Sequence, residues 1–169
     1  MAAHAAPAPT TSRHAITWSA VTDAVTYWTA IGGVYIAYGF LWFYSAKEKL
    51  FDQDGNMPAG LAKAYTGHFI DSFPGVNTAW LLLGLLEAVA FLVVVASFVT
   101  GEFLPHRSKP ILLAALGVSM LTFALMTFAQ NMVANFDSVA SLFTYMGVTA
   151  VIYALIRLVP PFRGEHADS

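Results

Sequence analysis

The sequence predicts an all-α integral membrane protein, a four-helix bundle with a short amphipathic interfacial helix in its first outer loop. Two observations carry this. Of the 169 residues, 57% are hydrophobic and only 11% are charged, where an ordinary soluble domain carries about 25% charge. The mean hydropathy is +0.63, and the apolar residues gather into four stretches, each close to the ~20 residues a helix needs to cross the hydrocarbon layer. A surface so poor in charge cannot all face water.

Taken in order, residues 1–18 are Ala-, Pro- and Thr-rich and read as a flexible tail. They lack the apolar core of a secretory signal. Residues 19–162 form one transmembrane domain, and 163–169 a second tail. The first span is expected over 27–44, with a backward extension of a turn or two towards Ser19. A long outer loop follows. Its first part, KEKLFDQDGNMP, is rich in turn formers. Its second part places Leu61, Tyr65, Phe69 and Phe73 at helical spacing, which predicts an interfacial helix over 58–73 opened by Pro58. The second span is expected over 77–99, after a Pro74-Gly75 turn and with Asn77 as its cap. The third, 110–134, starts with Pro110 in a first helical position. The fourth, 139–159, has Asp137 and Ser138 as caps and Pro160-Pro161 as its stop. The short link between spans three and four makes them antiparallel neighbours. Small residues four apart, Gly84/Ala88, Ala115/Ser119 and Ala150/Ala154, suit close helix approach.

Lysine and arginine set the expected orientation. Arg13, Arg107, Lys109, Arg157 and Arg163 fall on one side, and Lys47, Lys49 and Lys63 on the other. This places both termini in the cytoplasm and the protein in the cytoplasmic (inner) membrane.

Composition also excludes chemistry. A net charge of −2 gives no electrostatic reason to expect nucleic acid as a partner. With no cysteine, disulfides, thiolate catalysis and iron–sulfur ligation are impossible within the chain. His4, His14, His68, His106 and His166 all lie outside the spans, so they cannot form an intramembrane bis-histidine haem site. The run Asp52-Gln53-Asp54-Gly55-Asn56 has its glycine in the wrong place for a calcium loop, and Lys63 stands where the bidentate glutamate belongs. No metal site and no catalytic residue is expected.

One residue breaks the apolar stretch WLLLGLLEAVAFLVVV. Glu87 lies ten residues after Asn77, ~15 Å along the helix and near the middle of a ~30 Å hydrocarbon core. Tyr35, Tyr38, Ser119, Thr122 and Thr149 fall near the same depth by the same counting. A charged carboxylate there costs at least ~2.5–3.5 kcal/mol. The expected state is therefore the protonated acid, facing the bundle and sharing hydrogen bonds with Tyr35 or Tyr38 and the hydroxyls. No basic residue is expected at its depth. Whether Glu87 is a neutral clasp between helices or a proton-handling group stays open at this level.

A second polar layer gathers near the outer face: Lys47 and Lys49 at the end of the first span, His68 and Asp71 on the interfacial helix, Gln130 and Asn131 at the end of the third. Taken singly, the lysines read as snorkelling cations and the amides as helix-end ties. Taken together, the six could line an outward pocket for a polar head group such as a quinone ring.

Three stretches carry a family resemblance: GFLWFYSAKEKL, LLLGLLEAVAFLVVVASFVTGEF, and the third span closing on Ala129-Gln130-Asn131. Over residues 27–159 the chain resembles the DoxX/DoxD-like small four-helix bacterial membrane proteins. Their mid-span glutamate of the second helix corresponds to Glu87. The glycine of their first-helix signature is replaced, with Ala46 or Lys47 in its place. The resemblance implies an accessory subunit of a membrane-bound, quinone-linked redox complex, with other membrane subunits and lipids as partners and a quinone or lipid as its ligand. On that expectation the chain anchors and supplies a pocket or proton path rather than acting as an enzyme alone. A purely structural docking subunit is the alternative, and a small proton-coupled carrier a further one, disfavoured by the lack of broken helices or repeats.

Overall fold

The computed structural model describes residues 18–159, with side chains from residue 22. The expected tails, the cationic ends Arg13 and Arg163, His4, His14 and His166, and the Pro160-Pro161 stop lie outside the described residues. Helix α1 spans Trp18–Lys47 and runs on through a wide π-turn, Glu48–Asp52. Two short helices follow, α2 (Ala59–Ala64) and α3 (Phe69–Ser72), then three long ones, α4 (Val76–Val99), α5 (Pro110–Met132) and α6 (Phe136–Leu158). Four helices, that of Thr22–Asp52 together with α4, α5 and α6, are long and apolar enough to cross a membrane. The protein is an all-α four-helix bundle of the multi-pass membrane class.

Each helix packs on the next in sequence, α1 on α4, α4 on α5, α5 on α6. The very short link from Met132 to Phe136 makes α5 and α6 antiparallel neighbours. The outward faces are apolar: Phe40, Leu92, Phe98, Leu121, Phe143 and Val151 are all more than half exposed, as a lipid-facing surface requires. The interior is the more polar part, with Lys49, Glu87, Ser97, Ser119, Thr122, Thr127 and Thr149 buried.

Several boundaries differ from the sequence expectation. Helix α1 does not stop at Tyr44. Residues Ser45 to Phe51 include no helix breaker, and the chain turns only at Asp54 (φ 49°) and Gly55 (φ 72°). The interfacial helix expected over 58–73 is two helices, broken at Gly67, whose φ of 80° leaves the helical region. Its apolar face is split with it: Tyr65 is buried, whereas Phe69 and Phe73 are 63% and 69% exposed. Asn77 does not cap α4. Its Oδ1 accepts from Met57 N–H at 3.0 Å and ties the loop to the helix. The cap of α6 is Asn135, whose side chain accepts from Ser138 N–H, and Asp137 and Ser138 lie inside the helix. Pro110 does open α5. Of the small-residue pairs, Ala115/Ser119 is buried, but Ala150 is exposed.

Candidate functional site

One face of α1 organises the interior. Tyr27, Ile31, Tyr35, Tyr38, Trp42, Ala46 and Lys49 are all buried and recur every three or four residues, which stacks them along one side of a helix. Tyr35, Tyr38 and Trp42 spend their polar tips on α4, α6 and α5 in turn, and Tyr27 on the turn after α4. Tyr27 donates to the Phe103 carbonyl at 2.9 Å. Tyr35 pairs with Ser97 Oγ at 2.7 Å. Because Ser97 gives its own proton to Glu102 Oε2 at 2.8 Å, Tyr35 is the donor. Tyr38 donates to Thr149 Oγ1 at 2.6 Å, since Thr149 spends its proton on the Tyr145 carbonyl. Trp42 Nε1–H donates to Ser119 Oγ at 2.8 Å. These bonds close the bundle by joining α1 to α5 and α6 through long side chains.

The expected single polar level around Glu87 is therefore not present. Tyr35, Tyr38, Ser119 and Thr149 are paired with one another or with other residues and leave Glu87 aside. Thr122 bonds back to the Val118 carbonyl of its own helix at 2.9 Å. The physical reason is depth: Ser97, the partner of Tyr35, stands ten residues from Glu87 on α4, ~15 Å away along the axis.

Glu87 has a basic partner instead. Lys49 Nζ lies 3.1 Å from Glu87 Oε2, and the two side chains are 5% and 0% exposed. The continuation of α1 through the π-turn keeps Lys49 on the inward face, and its stem crosses α4 at Gly84. A Cβ placed on Gly84 would stand 2.9 Å from Lys49 Cβ and 3.0 Å from Leu50 Cδ2; only glycine admits this crossing. Ser45 Oγ accepts from Lys49 Nζ at 3.0 Å, and the ammonium also lies 4.7 Å from the centroid of the Trp80 ring, a cation–π distance. Neither carboxylate oxygen of Glu87 has a well-directed hydrogen bond among the described residues, nor does the buried Trp80 Nε1.

Above this pair lies a cavity of about 180 Å³. Lys49, Tyr65, Trp80 and Gln130 line it together with the apolar side chains of Met57, Leu61, Leu83 and Met126. Burial pushes the Tyr65 phenol above its ordinary pKa of 10.0. The rest of the expected outer cluster does not join the cavity. Lys47 is exposed and paired with Asp52 at 2.6 Å. His68 is half-buried and precedes α3, and Asp71 Oδ2 accepts from Gly67 N–H at 3.0 Å to close the turn. Asn131 donates to the Thr127 carbonyl at 3.1 Å. Lys47, Asp71 and Asn131 are thus tied up locally, as polar side chains near helix ends commonly are. Among the described residues, no three metal-ligating side chains converge.

A larger groove of about 370 Å³ lies between α1 and α4, lined by Phe40, Phe43, Phe91 and Phe98 among others. It offers a ligand only apolar contact.

The opposite end of the bundle holds a second buried carboxylate that the sequence reading passed over. Helix α4 ends in a Schellman turn, with Gly101 (φ 77°) in the left-handed position and Glu102 N–H bonded to the Ser97 carbonyl at 3.1 Å. The Glu102 side chain then folds under the start of α5. Its oxygens accept from Ile111 N–H at 2.9 Å and Leu112 N–H at 2.7 Å, two of the free donors of a helix start. Beside it, buried Lys109 donates to the Arg107 carbonyl at 2.8 Å. Burial lowers the Lys109 pKa from 10.5, and the Glu102 charge works against that shift.

Trp42, Ser45, Lys49 as the partner of Glu87, Trp80 and Glu102 were all missed as interior polar groups. A signal existed for the first three: from Tyr35 to Lys49 the polar-tipped residues follow three-four spacing without a gap. Trp80 and Glu102 had none, because their roles depend on the loop crossing and the turn.

No protein-family model matches the chain, and neither a curated protein nor a solved structure matches it.

Proposed function

We propose that the chain is a small, non-catalytic accessory subunit of a membrane-bound, quinone-linked redox complex, in which the cavity over Lys49 and Glu87 takes the head group of a quinone or lipid. The observation that carries this reading is that Lys49, ion-paired with buried Glu87, also lines a cavity. Two buried charges cost several kcal/mol each to desolvate, and an ion pair in that position is a weak source of stability. Intramembrane charges mark functional paths more often than they serve packing. A volume of about 180 Å³ is below the ~300–1,000 Å³ of a whole small-molecule site. It suits one ring or head group whose tail stays in lipid. The resemblance to DoxX/DoxD-like proteins supports the redox assignment, and the positive-inside bias supports a cytoplasmic membrane location with both termini in the cytoplasm.

Purification of the protein from native membranes in mild detergent tests the proposal. A quinone-linked oxidoreductase is expected to co-purify in constant ratio. Recovery as an isolated chain, with no oxidoreductase in any fraction, overturns it.

The purely structural reading rests on one observation. An open groove between α5 and α6 exposes Asp137, Ser141 and Tyr145 beside Gln130, polar groups that suit a neighbouring helix better than lipid. Docking there and a ligand at the cavity are compatible.

A further inference from the structure

We infer that the cavity over Lys49 is the inner end of a polar passage that opens between α5 and α6, with the side chains of Met126 and Gln130 as its partition, and that this passage admits small cations and neutral solutes ahead of anions. The inference deepens the pocket assigned above, by giving its route of entry, and rests on that reading. It starts from two side chains. Met126 and Gln130 line the cavity of about 180 Å³ beside Lys49. The same two line the open groove of about 340 Å³ that holds Asp137, Ser138, Ser141 and Tyr145. They stand four apart on α5, one above the other on the same face. Side chains that touch both spaces are what divides them.

Nothing in the turn requires that partition to stay shut. The step from α5 into α6 is held by the main chain, with Asn135 N–H bonded to the Gln130 carbonyl at 3.0 Å. The Gln130 side chain is held separately, by a bond from Asn135 Nδ2 to its Oε1 at 2.9 Å that is exposed to solvent. A neutral, exposed hydrogen bond is a weak latch. Met126 is unbranched and repacks readily. A swing of these two side chains joins groove to cavity without moving a helix. Charge then sets what enters. Among the described residues, Asp137 is the only charged one lining the groove, and it is exposed. In the cavity the Lys49 charge is already balanced by Glu87. The mouth is anionic and the inner end neutral overall, which draws cations in and repels anions.

The chain has no cysteine, so one introduced thiol reports the route. Ala79→Cys places it in the cavity lining. The full chain in detergent micelles is labelled with the trimethylammonium and the sulfonate forms of ethyl methanethiosulfonate, each rate normalised to that of a Ser72→Cys thiol at an exposed position. Gln130→Ala removes the latch and keeps the main-chain turn, and it should speed labelling about fivefold, the worth of one neutral hydrogen bond. Met126→Trp thickens the partition and should slow labelling. A loosened fold would speed labelling in both variants, so the opposite signs keep the test independent of folding. The cationic reagent should react about fivefold faster than the anionic one, and Asp137→Asn should erase that preference. Rates that neither Gln130→Ala nor Met126→Trp moves overturn the passage and leave the cavity standing, because the reagent then arrives another way. Absence of labelling in every variant overturns the passage too, and equal rates for the two reagents overturn its charge selection. Added decyl-benzoquinone judges the underlying reading separately. Protection of the Ala79→Cys thiol supports a head group in the cavity; absence of protection overturns that reading, while the Gln130 and Met126 variants alone decide the passage.

Discussion

Glu87 and Glu102 are both buried carboxylates on or just beyond one helix, yet they are handled in opposite ways. Glu102 accepts from two backbone N–H groups and a serine hydroxyl at 2.7–2.9 Å. Each bond also satisfies something the fold must satisfy, above all the start of α5. Glu87 faces the Lys49 ammonium at 3.1 Å and the Ser45 hydroxyl, and no backbone N–H among the described residues. A carboxylate whose hydrogen bonds are filled is part of the frame. One held by a lysine that lines a cavity is the feature on which the proposed ligand site rests.

The largest effect that can break this comparison comes from unpairing the buried charges. Glu87→Leu leaves Lys49 buried and alone, and should cost about 3–5 kcal/mol, read as thermal unfolding in detergent. Adding Lys49→Met should restore most of that loss, because both charges leave together. Next is Glu102→Ala, expected to cost about 1–3 kcal/mol for stranding buried backbone donors. No second side-chain change should rescue it, since its partners are main-chain N–H groups. If Glu102→Ala is neutral, or if the Lys49→Met, Glu87→Leu pair is no better than Glu87→Leu, the contrast fails.

Gly84→Ala sharpens the same contrast from the backbone. The added Cβ meets Lys49 Cβ at 2.9 Å, and overpacking of this kind typically costs about 1–3 kcal/mol. Its expected mark is a weaker Lys49–Glu87 coupling in a double-mutant cycle, with no change in the effect of Glu102→Ala.

The smallest effect is in alkali. The Tyr65 phenol ionises at its ordinary value in the unfolded chain and higher in the folded one. Its contribution is therefore constant below about pH 10 and is lost as pH rises beyond it. Lys109, whose folded pKa is lowered, acts with the opposite sign, its burial cost being relieved as pH climbs towards 10.5. Tyr65→Phe should flatten the alkaline loss of stability above pH 10 and leave the curve unchanged at neutral pH.

The four spans were legible because length and hydropathy alone determine them in lipid. The inward position of Glu87 was legible for the same reason, since exposure to lipid at that depth costs too much. Its partner was not. Depth counting ended the first span at Tyr44 and so placed Lys49 in the outer polar layer, whereas the helix continues for two further turns and brings it inside. The apolar spacing of Leu61, Tyr65, Phe69 and Phe73 suggested one helix because periodicity does not weigh the break at Gly67. Glu102 was invisible for a different reason: its bonds to Ile111 and Leu112 exist only once the turn after α4 has brought two helix ends together.

Turnover tests the central claim most directly. The Lys49→Met, Glu87→Leu variant is introduced into the native membrane, and the oxidoreductase that the proposed function expects to co-purify is assayed for both assembly and quinone reduction. If the buried pair serves chemistry, the complex assembles in normal amount and turnover falls at least tenfold. Normal assembly with unchanged turnover would show that Lys49 and Glu87 only hold helices together, and would contradict the division between the two carboxylates.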